Sequence, residues 1–203
     1  MSRALLLSCG WMIGPAYVLL YLLGGALRKG YSHIAHSVSE LLSPGAPYRK
    51  GLAAIQVIYA LLHVLFGLAV VAVVRQGAGG ASGVIGAWTI VAIGIATIGT
   101  AVFPQDAEGA PATRAGRIHK TLVFGVLVPA SILSTLLLGV WSRDVAALRG
   151  FDVYSYATVA ATALMGAVGG ATVKTRFAGL SERVAALIAH QWLFVLSVRL
   201  LTM

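Results

Sequence analysis

Six stretches of this chain run for about twenty residues with almost no formal charge, each bounded by basic residues, an acid, proline or glycine. That pattern leaves few folds open. The runs are about 4–27, ended by Arg28-Lys29; 51–74, between Arg49-Lys50 and Arg75; and 83–103, after the glycine-rich turn Gly77 to Gly80 and broken at Phe103-Pro104. The others are about 119–141, uncharged from Thr121 until Arg143; 153–173, between Asp152 and Lys174; and 181–201. Each is long enough to cross a hydrocarbon layer of about 30 Å as a helix. At 59% hydrophobic and 10% charged, the chain has too few charges to wet a soluble domain, in which about 25% of residues are charged. The expectation is an all-α membrane protein: one transmembrane domain over 1–203, a bundle of six transmembrane helices. The connections are short, so neighbouring helices run antiparallel.

The last run is the odd one. Only 15 residues separate Arg183 from Arg199, roughly 22 Å of helix, so one of the two charges must snorkel or face protein. Arg3 resembles the basic start of a signal peptide, but the apolar run before Cys9 is too short and continues to Leu27, which reads as a retained first span. Cys9 stands alone, so no intrachain disulfide and no multi-thiolate metal site can form.

The net charge of +9 comes from 15 Lys+Arg against 6 Asp+Glu. Because the basic residues sit in short loops beside apolar runs, they point to topology and anionic lipid rather than nucleic acid, for which no role is expected. Loops one, three and five carry Arg28, Lys29, Arg49, Lys50, Arg114, Arg117, Lys120, Lys174, Arg176 and Arg183; the termini and even loops carry only Arg3, Arg75, Arg143, Arg149 and Arg199. The positive-inside rule then puts the odd loops in the cytoplasm and both termini outside. Trp88, Trp141, Tyr154 and Tyr156 fall near the outer boundary, as an interfacial aromatic belt would. Gly166-x-x-x-Gly170 in the fifth span, and Gly86, Gly94 and Gly99 with Ala92 and Ala96 in the third, are read as close helix contacts within the chain.

Acids and histidines collect on the odd-loop side: Glu40, Asp106, Glu108 and Glu182, with His33, His36 and His119, while His63 and His190 lie inside spans. Such a cluster is a functional-site hypothesis by default. In loop one, His33, His36, Ser37 and Glu40 recur at helical spacing opposite Ile34, Ala35, Val38, Leu41 and Leu42, with Ser39 on the border; this predicts a short amphipathic helix in the interface, ended by Ser43-Pro44-Gly45. Its polar face either closes over the bundle mouth or is simply solvated. Asp106 lies just past a helix C-terminus, where a carboxylate opposes the dipole and calls for an arginine, a histidine such as His119, or a metal. Ser181 suits an N-cap and Glu182 a first turn. Arg183, if buried, needs a carboxylate, for which Glu40 or Asp106 would serve.

Ser39-Glu40-Leu41 followed by Ser-Pro-Gly-Ala-Pro, then Phe103-Pro104-x-Asp106, Gly116-x-Ile118-His119 and Gly179-Leu180-x-Glu182-Arg183, resemble the domain-of-unknown-function 998 family of prokaryotic integral membrane proteins. The resemblance spans nearly the whole chain and implies a six-helix bundle in a cell inner (plasma) membrane. It points to Ser39, Glu40, Asp106, His119, Glu182 and Arg183 as the site, and it supplies no activity. Family members that lack His33 or His36 count against a metal model built on those residues.

Four functions are compatible with these residues. The first is an enzyme binding or hydrolysing a lipid or other amphiphile at the cytoplasmic face. Its catalytic set is Ser39, Glu40, Asp106, His119, Glu182 and Arg183, with Ser39 as nucleophile, His36 or His119 as base and Asp106 as orienter, or with zinc on His36, Asp106 and His119. The second is a b-type haem or quinone protein ligated by His63 and His190. The third is a small transporter or binding bundle, and the fourth a structural polar network. Membrane lipids are the expected partners, and the oligomeric state is left open.

Overall fold

In a computed structural model the chain is all helix, with no strand among the residues described, which are 2–77 and 79–203. Ala78, in the middle of the expected turn Gly77 to Gly80, lies outside them. Six long helices form: α1 (Arg3–Leu27), α2 (Arg49–Gln76), α3 (Ala81–Val102), α4 (Arg114–Ser142), α5 (Phe151–Thr172) and α6 (Ala178–Leu201). Each packs against the next in sequence, and α6 returns to α1, so the bundle closes as a ring.

Five of the six, all but α5, are long and apolar enough to cross a membrane, which fits a multi-pass membrane protein. Helix α5 has the length, 22 residues, but Asp152, Tyr154, Ser155, Tyr156 and Thr158 in its first half lower its mean hydropathy below that of the others.

Helix α4 begins at Arg114, earlier than the apolar run suggested, because Thr113 caps it: the Thr113 hydroxyl accepts from the Gly116 amide at 3.1 Å. Midway, Val123–Leu127 widens into a π turn. Pro129 explains it, since its ring would clash with the carbonyl four residues back, and a wider turn relieves that clash. Helix α6 likewise starts at Ala178, three residues before the expected N-cap at Ser181. The Ser181 hydroxyl lies inside the helix and pairs with Thr172 Oγ1 at 2.8 Å, tying α6 to the end of α5.

The small residues of α3 act as expected. A Cβ on Gly94 would sit 2.8 Å from the Ala60 carbonyl of α2, and one on Gly86 would meet Leu137 and Leu138 of α4. The Gly166/Gly170 expectation is corrected, because a Cβ at either would meet nothing within 4 Å: the glycine face of α5 is open. Trp141 also departs from the belt: it is buried in the core and packs on Gly83.

The larger apolar core, with Ile13, Phe66, Ile90, Leu138, Trp141, Trp192 and Leu196, fills the bundle on the side of the even loops. A smaller core lies at the odd-loop end, where Val38, Leu41 and Leu42 of loop one insert among Tyr17 and Leu20 of α1 and Leu52 of α2. Loop one therefore plugs the bundle.

Close packing at Gly94 and open space at Gly166 make opposite predictions. Gly94→Ala should lower stability in mild detergent by about 1–3 kcal/mol through overpacking, read as a fall in the melting midpoint. Gly166→Ala should leave the midpoint unchanged or raise it.

Candidate functional site

The three odd loops meet at one end of the ring, and Arg183 organises the meeting. Its side chain is only 5% exposed, as the shortness of the last apolar run implied. Its hydrogens go to the carbonyls of His33 (2.8 Å), His36 (2.9 Å) and Gly179 (2.7 Å), and to the Tyr31 hydroxyl. Tyr21 and Tyr31 present their ring faces to the guanidinium, with centroids at 5.2 and 5.6 Å. No carboxylate accepts from it among the described residues, so the expected pairing with Glu40 or Asp106 is replaced by carbonyl dipoles.

This is why loop one is not the expected amphipathic helix. A helix would turn the carbonyls of residues 33 and 36 onto its own amides, whereas here they face Arg183. Other loop groups are paired in the same non-helical way. The Tyr31 hydroxyl donates to Ser37 O (2.7 Å), the Ser37 amide to Glu40 Oε1 (2.9 Å) and the Val38 amide to Glu182 Oε2 (3.3 Å). The Leu180 amide reaches Ile34 O (2.9 Å), and Arg28 reaches Glu40 O (2.8 Å). Only Ser39–Leu42 is helical, as a single 3₁₀ turn. Gly179 is the contact point: a Cβ there would overlap the His36 carbonyl. Burial pushes the Tyr31 hydroxyl up to about 12, so it remains a neutral donor and acceptor at any physiological pH.

Ser39, at the start of the 3₁₀ turn, reaches across to α4. Its Oγ lies 3.2 Å from His119 Nε2, and His119 Nδ1 lies 3.0 Å from the Phe103 carbonyl. A carbonyl can only accept, so Nδ1 carries the ring proton and Nε2 offers its lone pair to the Ser39 hydroxyl. His119 is 5% exposed and Ser39 is half-buried. The sequence offered His36 or His119 as the partner of Ser39, with Asp106 behind it; it is His119 that faces Ser39, and a backbone carbonyl rather than Asp106 meets its other nitrogen.

Asp106 is turned to Thr113. Its Oδ1 accepts from the Thr113 hydroxyl (2.6 Å) and its Oδ2 from the Thr113 amide (3.1 Å). These bonds hold its carboxyl below the usual carboxylate value. The negative charge sits at the N-terminus of α4, where the dipole favours it. Gly116 leaves the room, since a Cβ there would overlap the carboxylate. Glycines 116 and 179 were quoted in the sequence motifs without a role; each permits one close approach.

The donors of His36, Asp106 and His119 are thus committed to different partners, and the structure does not gather them as a metal set. A different trio, His36, Glu40 and Glu108, brings one ligand-type atom each within 4.8 Å of the others. The Ser32 amide donates to His36 Nδ1 at 2.9 Å, so a neutral ring carries its proton on Nε2. His36 would have to give up that bond to ligate through Nε2. As it stands, Nε2 is a hydrogen-bond donor rather than a metal ligand.

His63 and His190 do meet inside the bundle, with ring centroids 6.0 Å apart. Tyr59 packs against both rings and shares a 2.7 Å hydrogen bond with His190 Nε2, while His63 Nδ1 donates to the Tyr59 carbonyl at 3.1 Å. Both rings are thus engaged by Tyr59 and pack edge to face with each other, as core residues do.

Compared with known families, the chain matches the pattern described as "Protein of unknown function (DUF998)" over residues 12–199. The chain belongs to the DUF998 family. No curated protein and no solved structure matches it. All four segments that suggested DUF998 lie inside the matched region, and they are the segments that meet at the odd-loop end: Ser39–Pro47, Phe103–Asp106, Gly116–His119 and Gly179–Arg183.

Arg183→Ala should strip the His33 and His36 carbonyls of their partner and cost about 3 kcal/mol or more, seen as a lower melting midpoint and faster amide exchange across residues 31–42. The Asp106–Thr113 contact has a defined pH dependence. For an acid held below its ordinary value, the stabilisation is complete above that value and is lost as pH falls through the lowered one. Protection of the Thr113 amide, its exchange rate relative to the intrinsic rate at each pH, should fall in that acid range, and Asp106→Asn should remove that change in protection.

Proposed function

We propose that this DUF998 protein is a six-span inner-membrane enzyme that cleaves or transfers an acyl group on a lipid or similar amphiphile at its cytoplasmic face. The single observation that carries the reading is the Ser39–His119 pair, with the serine hydroxyl aimed at a ring nitrogen whose tautomer is set by Phe103 O. As the sixth span, α5 has 22 residues, about 33 Å of helix, and is packed into the ring between α4 and α6. The bias of basic residues toward the odd loops supports their cytoplasmic orientation.

The chemistry follows from the tautomer. Ser39 Oγ attacks the acyl carbonyl carbon as its proton passes to His119 Nε2, and the imidazolium so formed keeps its Nδ1–H on the Phe103 carbonyl. His119 then returns the proton to the leaving alcohol as the ester bond breaks. A water, or a second acceptor alcohol, deprotonated by the same nitrogen, releases the acyl group from Ser39.

Glu40, Glu182 and Arg183 act as positioning residues, since their bonds run to the backbone of loop one and fix where Ser39 stands. A second reading, in which Ser39–His119 is one more tether in a structural network of a transporter or binding bundle, draws on the same bonds from Arg183 to loop one. A fluorophosphonate probe on protein in nanodiscs separates the two. The enzyme reading predicts covalent labelling on Ser39, absent in Ser39→Ala and slowed about 10²-fold or more in His119→Ala, with the melting midpoint little changed. Failure of the wild type to label, or labelling elsewhere, would contradict it.

A further inference from the structure

The first two turns of α4 carry a feature that the Ser39–His119 pair does not use. Arg114, Arg117, Ile118, Thr121 and Leu122 line an open groove of about 400 Å³. The spacing places Arg114, Arg117 and Thr121 along one row of the helix, with Ile118 and Leu122 beside it. Arg28, Arg49, Arg183 and Arg199 spend their guanidiniums on backbone carbonyls. Those of Arg114 and Arg117 donate to no described residue. The nearby carboxylate, Asp106, is held by Thr113.

We infer that this groove seats the phosphate of an anionic phospholipid, with one acyl chain following the helix into the bilayer. Two guanidiniums one turn apart match the oxygens of a phosphate, each able to donate in a fork. The apolar part of the groove selects a lipid over free phosphate: Ile118 and Leu122 line it, and Phe124, 66% exposed, and Val128, 40% exposed, follow Arg117 and Thr121 down the membrane-long helix. Arg114 and Arg117 stand at the head of that helix, at the level where lipid phosphates lie. Ile118 lines the groove while the next residue, His119, turns into the bundle, so this site stands or falls independently of the proposed acyl chemistry.

The test is lipid selectivity, using protein in nanodiscs of phosphatidylcholine doped with spin-labelled phosphatidylglycerol or spin-labelled phosphatidylcholine. Each basic residue near a charged surface contributes about 1 kcal/mol, so two should give roughly thirtyfold preference for the glycerol lipid in the motionally restricted fraction. Arg114→Gln/Arg117→Gln should reduce that preference to about twofold or less, and Arg114→Lys/Arg117→Lys should keep part of it. Lys50→Gln/Arg176→Gln removes the same charge from the odd loops and should leave the preference intact. No preference in the wild type, retention of it in the double Gln variant, or equal loss in the Lys50/Arg176 control would overturn the site. Displacement of the lipid by millimolar inorganic phosphate would overturn the lipid assignment in favour of a free phosphate.

Discussion

A guanidinium inside a bundle of apolar helices must be given acceptors, and Arg183 takes them from the backbone of a loop that enters the bundle to supply them. Three carbonyls and a tyrosine hydroxyl surround it, two of the carbonyls from loop one and one from the first turn of α6. The rest of the odd-loop end follows from that arrangement. Loop one cannot be helical while residues 33 and 36 face Arg183. Its apolar residues Val38, Leu41 and Leu42 then fall into the gap between α1 and α2, and Ser39 arrives 3.2 Å from His119. A buried charge is costly where its acceptors are missing, and each acceptor that Arg183 takes from loop one also fixes that loop.

The site is therefore composite, although most of its members are close to the backbone they control. Arg183 and Glu182 hold the loop, Gly179 lets it approach, and Phe103 O sets the His119 tautomer. Asp106 closes the third loop on Thr113, the residue that caps α4, which in turn presents His119. Two groups of the site touch an incoming substrate in the proposed chemistry, Ser39 and His119; the others decide where those two stand.

Much of this was legible in the residues. Uncharged runs marked the long helices to within a few residues, because a helix in hydrocarbon tolerates so few charges. The inward turn of Arg183 followed from the spacing to Arg199. Loop one was misread because His33, His36, Ser37 and Glu40 do have helical spacing; what spacing does not reveal is that their carbonyls are claimed by a residue far along the chain. Asp106 was assigned a charged partner, whereas Thr113, seven residues on, supplied two ordinary hydrogen bonds. Gly166-x-x-x-Gly170 has the form of a contact motif, but small residues permit a close approach without enforcing one. The open glycine face of α5 and the π turn at Pro129 belong to tertiary packing, of which local sequence carries little trace.

The central claim is that loop one, pinned by Arg183, delivers the Ser39 hydroxyl to a bare Nε2 on His119. Nitrogen-15 NMR of the histidine rings in nanodiscs tests it directly, with His119→Gln used to assign the signal. The account predicts that at neutral pH His119 carries its proton on Nδ1, and that its unprotonated Nε2 resonance shifts in Ser39→Ala when the hydrogen bond is lost. A proton on Nε2, or an Nε2 resonance indifferent to Ser39→Ala, would contradict it.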